Sequence, residues 1–202
     1  SGTLTVTVGN GSSVGGSIQN SLSVGYNLAN MNFTATYNNL SPSAGYTTGK
    51  ELPNLAAEMP IGGTVTIANT NAAGVTLGND ANVYSWTINS SATTHLNGKT
   101  LQVGGNFANN SAVANTGLNS SVAGSKIHFS GNSQQTVNLG GNQTFAGTLT
   151  TPDLEISNTF YNATISCGAT VSAAASANNV IVNAGGYLQI NNVGFNVLGN
   201  IT

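Results

Sequence analysis

The residues with a claim to chemistry are few and scattered. Gly11-Ser12-Ser13-Val14-Gly15 fits the G-x-S-x-G pattern, in which a serine nucleophile stands on a tight strand-to-helix turn served by a histidine base and an acid. The residues that follow, Gly16 to Val24, read as strand rather than helix, and a chain rich in Ser and Gly produces the pattern by accident. His95 and His128 are the only histidines, and neither has a second nitrogen or sulfur ligand at metal spacing. Alternation with Ile127 and Phe129 turns His128 away from them, toward solvent. Asp153 and Glu155 share a face if 153–156 is a strand, but glycoside hydrolysis needs two carboxyls set across a cleft at a fixed separation. Asp80, in Gly78-Asn79-Asp80-Ala81-Asn82, is one carboxylate where calcium takes several, so this segment reads as an Asx-rich turn. The expectation is a chain that is not an enzyme and holds no cofactor and no metal.

Other residues point to surfaces rather than reactions. Tyr84 and Trp86 alternate, which would put both rings on one side of a strand, either as core bulk or as a platform for stacking a sugar. Thr3, Thr5 and Thr7, with Thr64 and Thr66, form Thr-x-Thr arrays similar to the ranked threonines of ice-binding solenoids, although threonine is also a generic strand residue. Cys167 is the single cysteine, so an intramolecular disulfide is impossible and a buried core role is expected. N-x-S/T sequons begin at Asn10, Asn32, Asn39, Asn89, Asn109, Asn119, Asn142, Asn162 and Asn200, about as many as chance gives in a chain so rich in Asn, Ser and Thr. They are acceptors only if the organism glycosylates its surface.

The elements that must position these residues are set by an unusual composition. Of 202 residues, 4% are charged, against roughly a quarter in an ordinary globular domain. The basic residues are Lys50, Lys99 and Lys126, with no arginine, and the net charge is −2. Neutralising phosphates takes a patch of cations, so nucleic acid is excluded as a partner. A hydrophobic fraction of 39% with so little charge argues for a folded chain rather than a disordered one. No apolar run approaches the roughly 18 residues that span a bilayer. The absence of a starting Met and of a basic-then-apolar leader suits a mature secreted product.

Period-2 alternation with β-branched residues recurs along the whole chain, in Thr3–Val8, Gly63–Ile67, Thr100–Val103, Lys126–Phe129, Gln135–Leu139 and Val180–Val182, punctuated by Gly, Asn and Ser. The best helical window, Glu51–Met59, supports one or two turns at most, with Pro53 in the first. The class is all-β. In the second half, short strands follow one another at about seven to ten residues through turns too short to cross a sandwich, as on successive faces of a solenoid. Residues 96–107 and 192–201 echo each other, each running from Gly through a short strand to Gly-Asn-apolar.

Ile127-His128-Phe129-Ser130-Gly131-Asn132-Ser133-Gln134-Gln135-Thr136-Val137, Leu154–Asn158 and Val182–Ile190 resemble the repeats of large bacterial surface proteins of the adhesin and autotransporter-passenger type. That resemblance covers residues 95–202 and implies a right-handed parallel β-helix there. Residues 1–94, with Gly62–Thr70 similar to a strand of β-sandwich surface modules, are expected to form a cap or a sandwich. The alternative for the fold is a β-sandwich or jelly roll of a fibre subunit.

The functional expectation is an extracellular structural protein, secreted or at the cell surface: a subunit of a fibre, adhesive layer or biofilm matrix that self-associates through β-strand edges. The alternative is a carbohydrate- or ice-binding surface module. The expected assembly strand is 3–8, whose Leu4, Val6 and Val8 would pair either within the subunit or, by strand donation, with a neighbour.

Overall fold

The computed structural model describes residues 2–9, 28–38, 45–49, 51–111, 117–140, 151–162, 166–171, 175–191 and 193–202. The chain lays down β1 (Thr3–Val8), β2 (Asn32–Tyr37) and β3 (Tyr46–Thr47), makes a 3-10 turn at Ala56–Glu58, and continues through β4 (Thr64–Ile67), β5 (Val75–Thr76), β6 (Ala81–Val83), β7 (Ser85–Ile88), β8 (Thr94–His95) and β9 (Thr100–Val103). There follow β10 (Phe107–Asn109), β11 (Leu118–Asn119), β12 (Lys126–Phe129), β13 (Gln135–Asn138), β14 (Asp153–Ile156), β15 (Tyr161–Asn162) and β16 (Ser166–Cys167). The last strands are β17 (Ala169–Val171), β18 (Ala175–Ala177), β19 (Val180–Val182), β20 (Leu188–Ile190) and β21 (Phe195–Val197). The fold is all-β, and the helical window reduces to that one 3-10 turn, which Pro53 precedes.

These strands form parallel sheets. The first runs β1-β2-β4-β7-β10-β13-β17-β20, the second β3-β5-β8-β11 and the third β6-β9-β12-β14-β19. From β4 to β13 the chain visits first, second and third sheet in strict rotation, and each return lies beside the previous strand of that sheet. Among the described residues the two-residue pair β15–β16 is the antiparallel exception. A sandwich or jelly roll pairs its strands antiparallel, so that alternative does not describe these sheets. The border expected between residues 94 and 95 falls inside β8, and the first sheet crosses it through the pairing of β7 with β10.

Parallel pairing in register stacks like on like. Val6, Ala35, Val65, Trp86, Phe107, Val137, Val171 and Ile190 follow one another, neighbour beside neighbour, across the first sheet. The third sheet answers with Ala81, Leu101, Ile127, Leu154 and Val180 and, two residues on, with Val83, Val103, Phe129, Ile156 and Val182. These columns form one core running from Val6 to Val180. Alternate residues of β4, β7, β9, β12 and β14 face outward, which is why these strands read as half-buried and buried in turn.

The corners need backbone that side chains would block. Gly63 turns with φ +93°, and a Cβ there would overlap the Phe33 main chain; Gly168, at φ +52°, sits against the Tyr187 carbonyl in the same way. Buried amides satisfy other corner groups. Gln135 donates through Nε2 to the carbonyls of Val103 and Gly105, and its Oε1 accepts from the Gly131 N–H and from Asn158 Nδ2. Asn158 Oδ1 accepts in turn from the Phe160 N–H at 2.9 Å.

The echo between residues 96–107 and 192–201 is not an equivalence of position. In the first segment Thr100–Val103 lies in the third sheet and Phe107 begins a strand of the first. In the second, Phe195–Val197 pairs with β18 and Ile201 bridges to Val180 of the third sheet. Gly-Asn-apolar marks a corner as such, not one particular corner.

Candidate functional site

The outward face of the third sheet carries the densest group of ionisable side chains. Lys126 and His128 alternate on β12, Asp153 and Glu155 on β14, and register places Lys126 beside Asp153 and His128 beside Glu155. Lys126 Nζ lies 2.9 Å from Glu155 Oε2, an ion pair that spans the two strands diagonally. At the next corner Asn183 Nδ2 donates to Glu155 Oε1 at 2.9 Å and to Ser157 Oγ at 2.7 Å. His128 Nε2 is 2.8 Å from the same Ser157 Oγ. Asp153 Oδ1 accepts from Asn178 Nδ2, from the Asn179 N–H and from Asn179 Nδ2.

The electrostatics follow from these contacts. The Lys126 hydrogen bond holds the Glu155 carboxyl below its usual range, against an opposing push from burial, with help from Asn183 and His128. Burial lowers His128, and the neighbouring Lys126 adds to this while Glu155 opposes it. His128 therefore faces outward as its alternation implies, yet it is half-buried among Glu155 and Ser157 rather than bathed in solvent.

A serine beside a histidine and a carboxylate invites comparison with a catalytic triad. In a triad the acid binds the ring nitrogen opposite the one that faces the serine, and so fixes the tautomer. Here Glu155 Oε1 approaches Nε2, at 3.9 Å, the nitrogen already occupied by Ser157. Ser157 Oγ is further held by Asn183. The arrangement is a closed polar ladder in which each outward group satisfies another across the strands. Asp153 and Glu155 do share a face, but each is committed to a neighbour of the ladder.

The other expected residues divide. Ser13 and its elbow pattern lie outside the described residues, as does the side chain of Cys167. Asp80 Oδ1 accepts from the Thr100 N–H at 2.9 Å, which is the work of a turn residue. His95 sits on β8 beside Thr76 and Asn119, on a different sheet from His128, and burial lowers its pKa. No group of three or more metal-ligating side chains occurs among the described residues.

Tyr84 and Trp86 do not share a platform. The chain bends at Tyr84 between β6 and β7, so the simple alternation fails there: Trp86 is 0% exposed and Tyr84 is 37% exposed. Trp86 fills the core column, with its Nε1 donating to Thr94 Oγ1 at 3.3 Å. Tyr84 instead lines a cleft of about 420 Å³ with Met59, Pro60, Ile61, Ser130 and Asn132.

Strand 3–8 is also placed. All six of its residues pair with β2 of the same chain, in register from Thr3 opposite Asn32 to Val8 opposite Tyr37, and Val6 and Val8 are buried while Leu4 is half-buried. The strand thus completes its own sheet, and strand donation by these residues is not what this arrangement contains. Among the sequons, Asn109 is buried with its Nδ2 donating to the Leu139 carbonyl, so its amide is closed to a glycan. Asn89 and Asn200 are exposed, Asn32 and Asn119 are half-buried, and Asn10, Asn39, Asn142 and the Asn162 side chain lie outside the described residues.

Sequence reasoning missed Ser157 and Asn183. They meet His128 and Glu155 across 29 and 28 residues of chain, so no local spacing announces them. No helix among the described residues is long and apolar enough to cross a membrane. No family model matches this chain, and neither a curated protein nor a solved structure matches it.

Proposed function

We propose that the chain is a β-solenoid module of an extracellular structural or adhesive protein, and that copies of it associate end to end. The rotation through three parallel sheets supports the solenoid. Thr64 pairs with Ser85, Trp86 with Phe107 and Gln135 with Ala169, so one circuit takes about 20 to 35 residues, within the range of known solenoid repeats. The resemblance to adhesin and autotransporter repeats points the same way.

The observation that carries the association is the state of the last circuit. Ile190 is the final member of the core column that begins at Val6, and it is 45% exposed, while Leu198 and Ile201, later in the chain, are 47% and 70% exposed. Leu188, Phe195 and Val197 are covered only in part. An apolar end of this kind, next to unpaired strand edges, is a template for another strand. At the other end, β1 presents an edge with no partner among the described residues. A second copy offers matching chemistry, its β1 laid parallel to β20, a head-to-tail contact that does not close on itself and so builds a filament.

The surfaces between the ends suit exposure to an uncontrolled medium, since charge is scarce, Lys126, Asp153 and Glu155 are bonded within the ladder, and most of the polar remainder is neutral amide and hydroxyl. The same saturation supports a role without catalysis. Light scattering and negative-stain microscopy of the purified chain test the reading. Elongating particles that shorten to monomers in Ile190→Lys and Ile201→Lys support it. Compact wild-type monomers at all concentrations, or assembly untouched by both variants, reject it.

A further inference from the structure

The outward face of the first sheet differs from that of the third in a way that assigns it a separate task. Register aligns Thr5 with Thr34, and Thr64 with Ser85; it aligns Thr7 with Thr36, Thr36 with Thr66, and Thr66 with Thr87. Two files of hydroxyl side chains therefore run side by side across β1, β2, β4 and β7. Backbone geometry sets their repeat: about 4.8 Å from strand to strand and about 6.6 Å between alternate residues along a strand. Beneath them, Val6, Phe33, Ala35, Val65, Trp86 and Ile88 are buried and hold the strands in place.

Three observations separate this face from ordinary strand surface. The eight strands of the sheet contain no ionisable side chain other than the inward-facing Tyr37, whereas the third sheet carries Lys126, His128, Asp153 and Glu155. The third sheet's outward groups are bonded to one another, whereas no hydrogen bond joins the hydroxyls of Thr5, Thr7, Thr34, Thr36, Thr64, Thr66 or Thr87 to other described residues. Finally, each threonine is β-branched, so its hydroxyl and methyl are fixed in few rotamers and little is lost on ordering them.

The chemistry of the face selects its partner. A small molecule needs a concave site, and this is a sheet surface. A protein partner needs aromatic or arginine anchors, and nucleic acid needs cations; the files offer neither. Sugars stack on exposed rings, but Phe33, Tyr37 and Trp86 all point inward. What remains is a neutral solid with a two-dimensional repeat of its own, to which fixed hydroxyls donate and accept while the methyls fill the gaps between water molecules. We infer that the two threonine files on β1, β2, β4 and β7 bind the surface of ice, with the lattice water as ligand. This goes beyond the end-to-end association and uses a different surface.

The array ends where the files change character. After Thr87 its file continues as Ala108 and Asn138, and beside Ser85 the Asn106 side chain turns to accept from the Thr136 N–H at 2.9 Å. That limit supplies a control within the same sheet. Single ice crystals grown in a solution of the purified chain should facet and show a gap between melting and freezing temperatures. Thr66→Tyr, at the centre of the array, and Thr7→Lys, on the exposed β1, should each abolish the gap with the far-ultraviolet dichroism unchanged. Thr136→Lys, outside the array, should retain it. Wild-type chain without faceting or gap overturns the inference, as does retention of the gap in folded Thr7→Lys. Binding to crystalline cellulose without any effect on ice overturns it too. Ile190→Lys, which addresses the filament contact, should leave the gap in place, so the two readings fail separately.

Discussion

At the scale of single residues, buried amides do what charges do elsewhere. Gln135 and Asn158 are each 0% exposed and between them satisfy three carbonyls and two N–H groups at the corners. Replacing Gln135 by Leu keeps the bulk but strands the Val103 and Gly105 carbonyls and the Gly131 N–H, so stability in a urea titration should fall by about 1–3 kcal/mol for each buried group left unpaired. The pH dependence has a definite sign. Folding lowers the pKa of His128 and His95, chiefly by burial, so the folded state binds fewer protons and stability declines as pH falls through about 6.5, the ordinary histidine value. Glu155, also lowered, adds a second loss as pH falls through its ordinary range toward the folded value. Tyr46, pushed up to about 12 by burial and Glu51, acts at the opposite end: its share is present below pH 10 and is lost as pH rises through 12. Melting temperature against pH should show the acid losses, and His128→Gln should remove part of the decline near pH 6. An unchanged profile in that variant would mean that His128 is not the group responsible.

At the scale of elements, the alternation that sequence shows is the alternation that structure has. Thr3–Val8, Thr100–Val103, Lys126–Phe129 and Val180–Val182 are strands with the bounds their patterns suggest. The second sheet was illegible because β3, β5, β8 and β11 are two residues each, too short for any period to register. Tyr84 escapes the period for a related reason, since one bend resets the alternation and a run of five residues hides it. The polar ladder of the third sheet was legible only in part: Asp153 and Glu155 announce a shared face, while their partners arrive from other circuits. Corners carry a further prediction. Gly168→Ala puts a methyl against the Tyr187 carbonyl at positive φ, and should cost about 1–2 kcal/mol for the backbone alone, with more from the overlap. Gly194, which has nothing within 4 Å of a Cβ, should accept Ala with little change in the same denaturation experiment.

At the scale of the whole molecule, the solenoid reading has each circuit resting on its neighbours, so that stability would sum along one dimension. Among the described residues β1 is the outermost member of its sheet, and its removal uncovers Phe33, Ala35 and Tyr37 on β2. Deleting residues 1–8 should therefore leave a folded chain that is less stable by about 1.5–3 kcal/mol for each of the buried Val6 and Val8, before any entropy is recovered. In the end-to-end reading the same deletion also shortens filaments, because it removes the edge that meets β20. A deletion that abolishes folding would show instead that β1 is needed to start the stack.

The direction of the ladders has a mechanical consequence. Main-chain hydrogen bonds between successive strands of each sheet lie along the stack, from β1 toward β20. Tension drawn through the chain at β1 would load the Asn38 N–H to Val8 carbonyl bond and its fellows in β1–β2 one after another, like a zip, and not all at once. In the solenoid reading, a stack whose end strands are free would be soft to peeling and stiff across its width, where many strands share a load. A fibre of such modules would draw its tensile strength from whatever holds the terminal strands down, and a force ramp on a single copy should show a low sawtooth, one tooth for each circuit released.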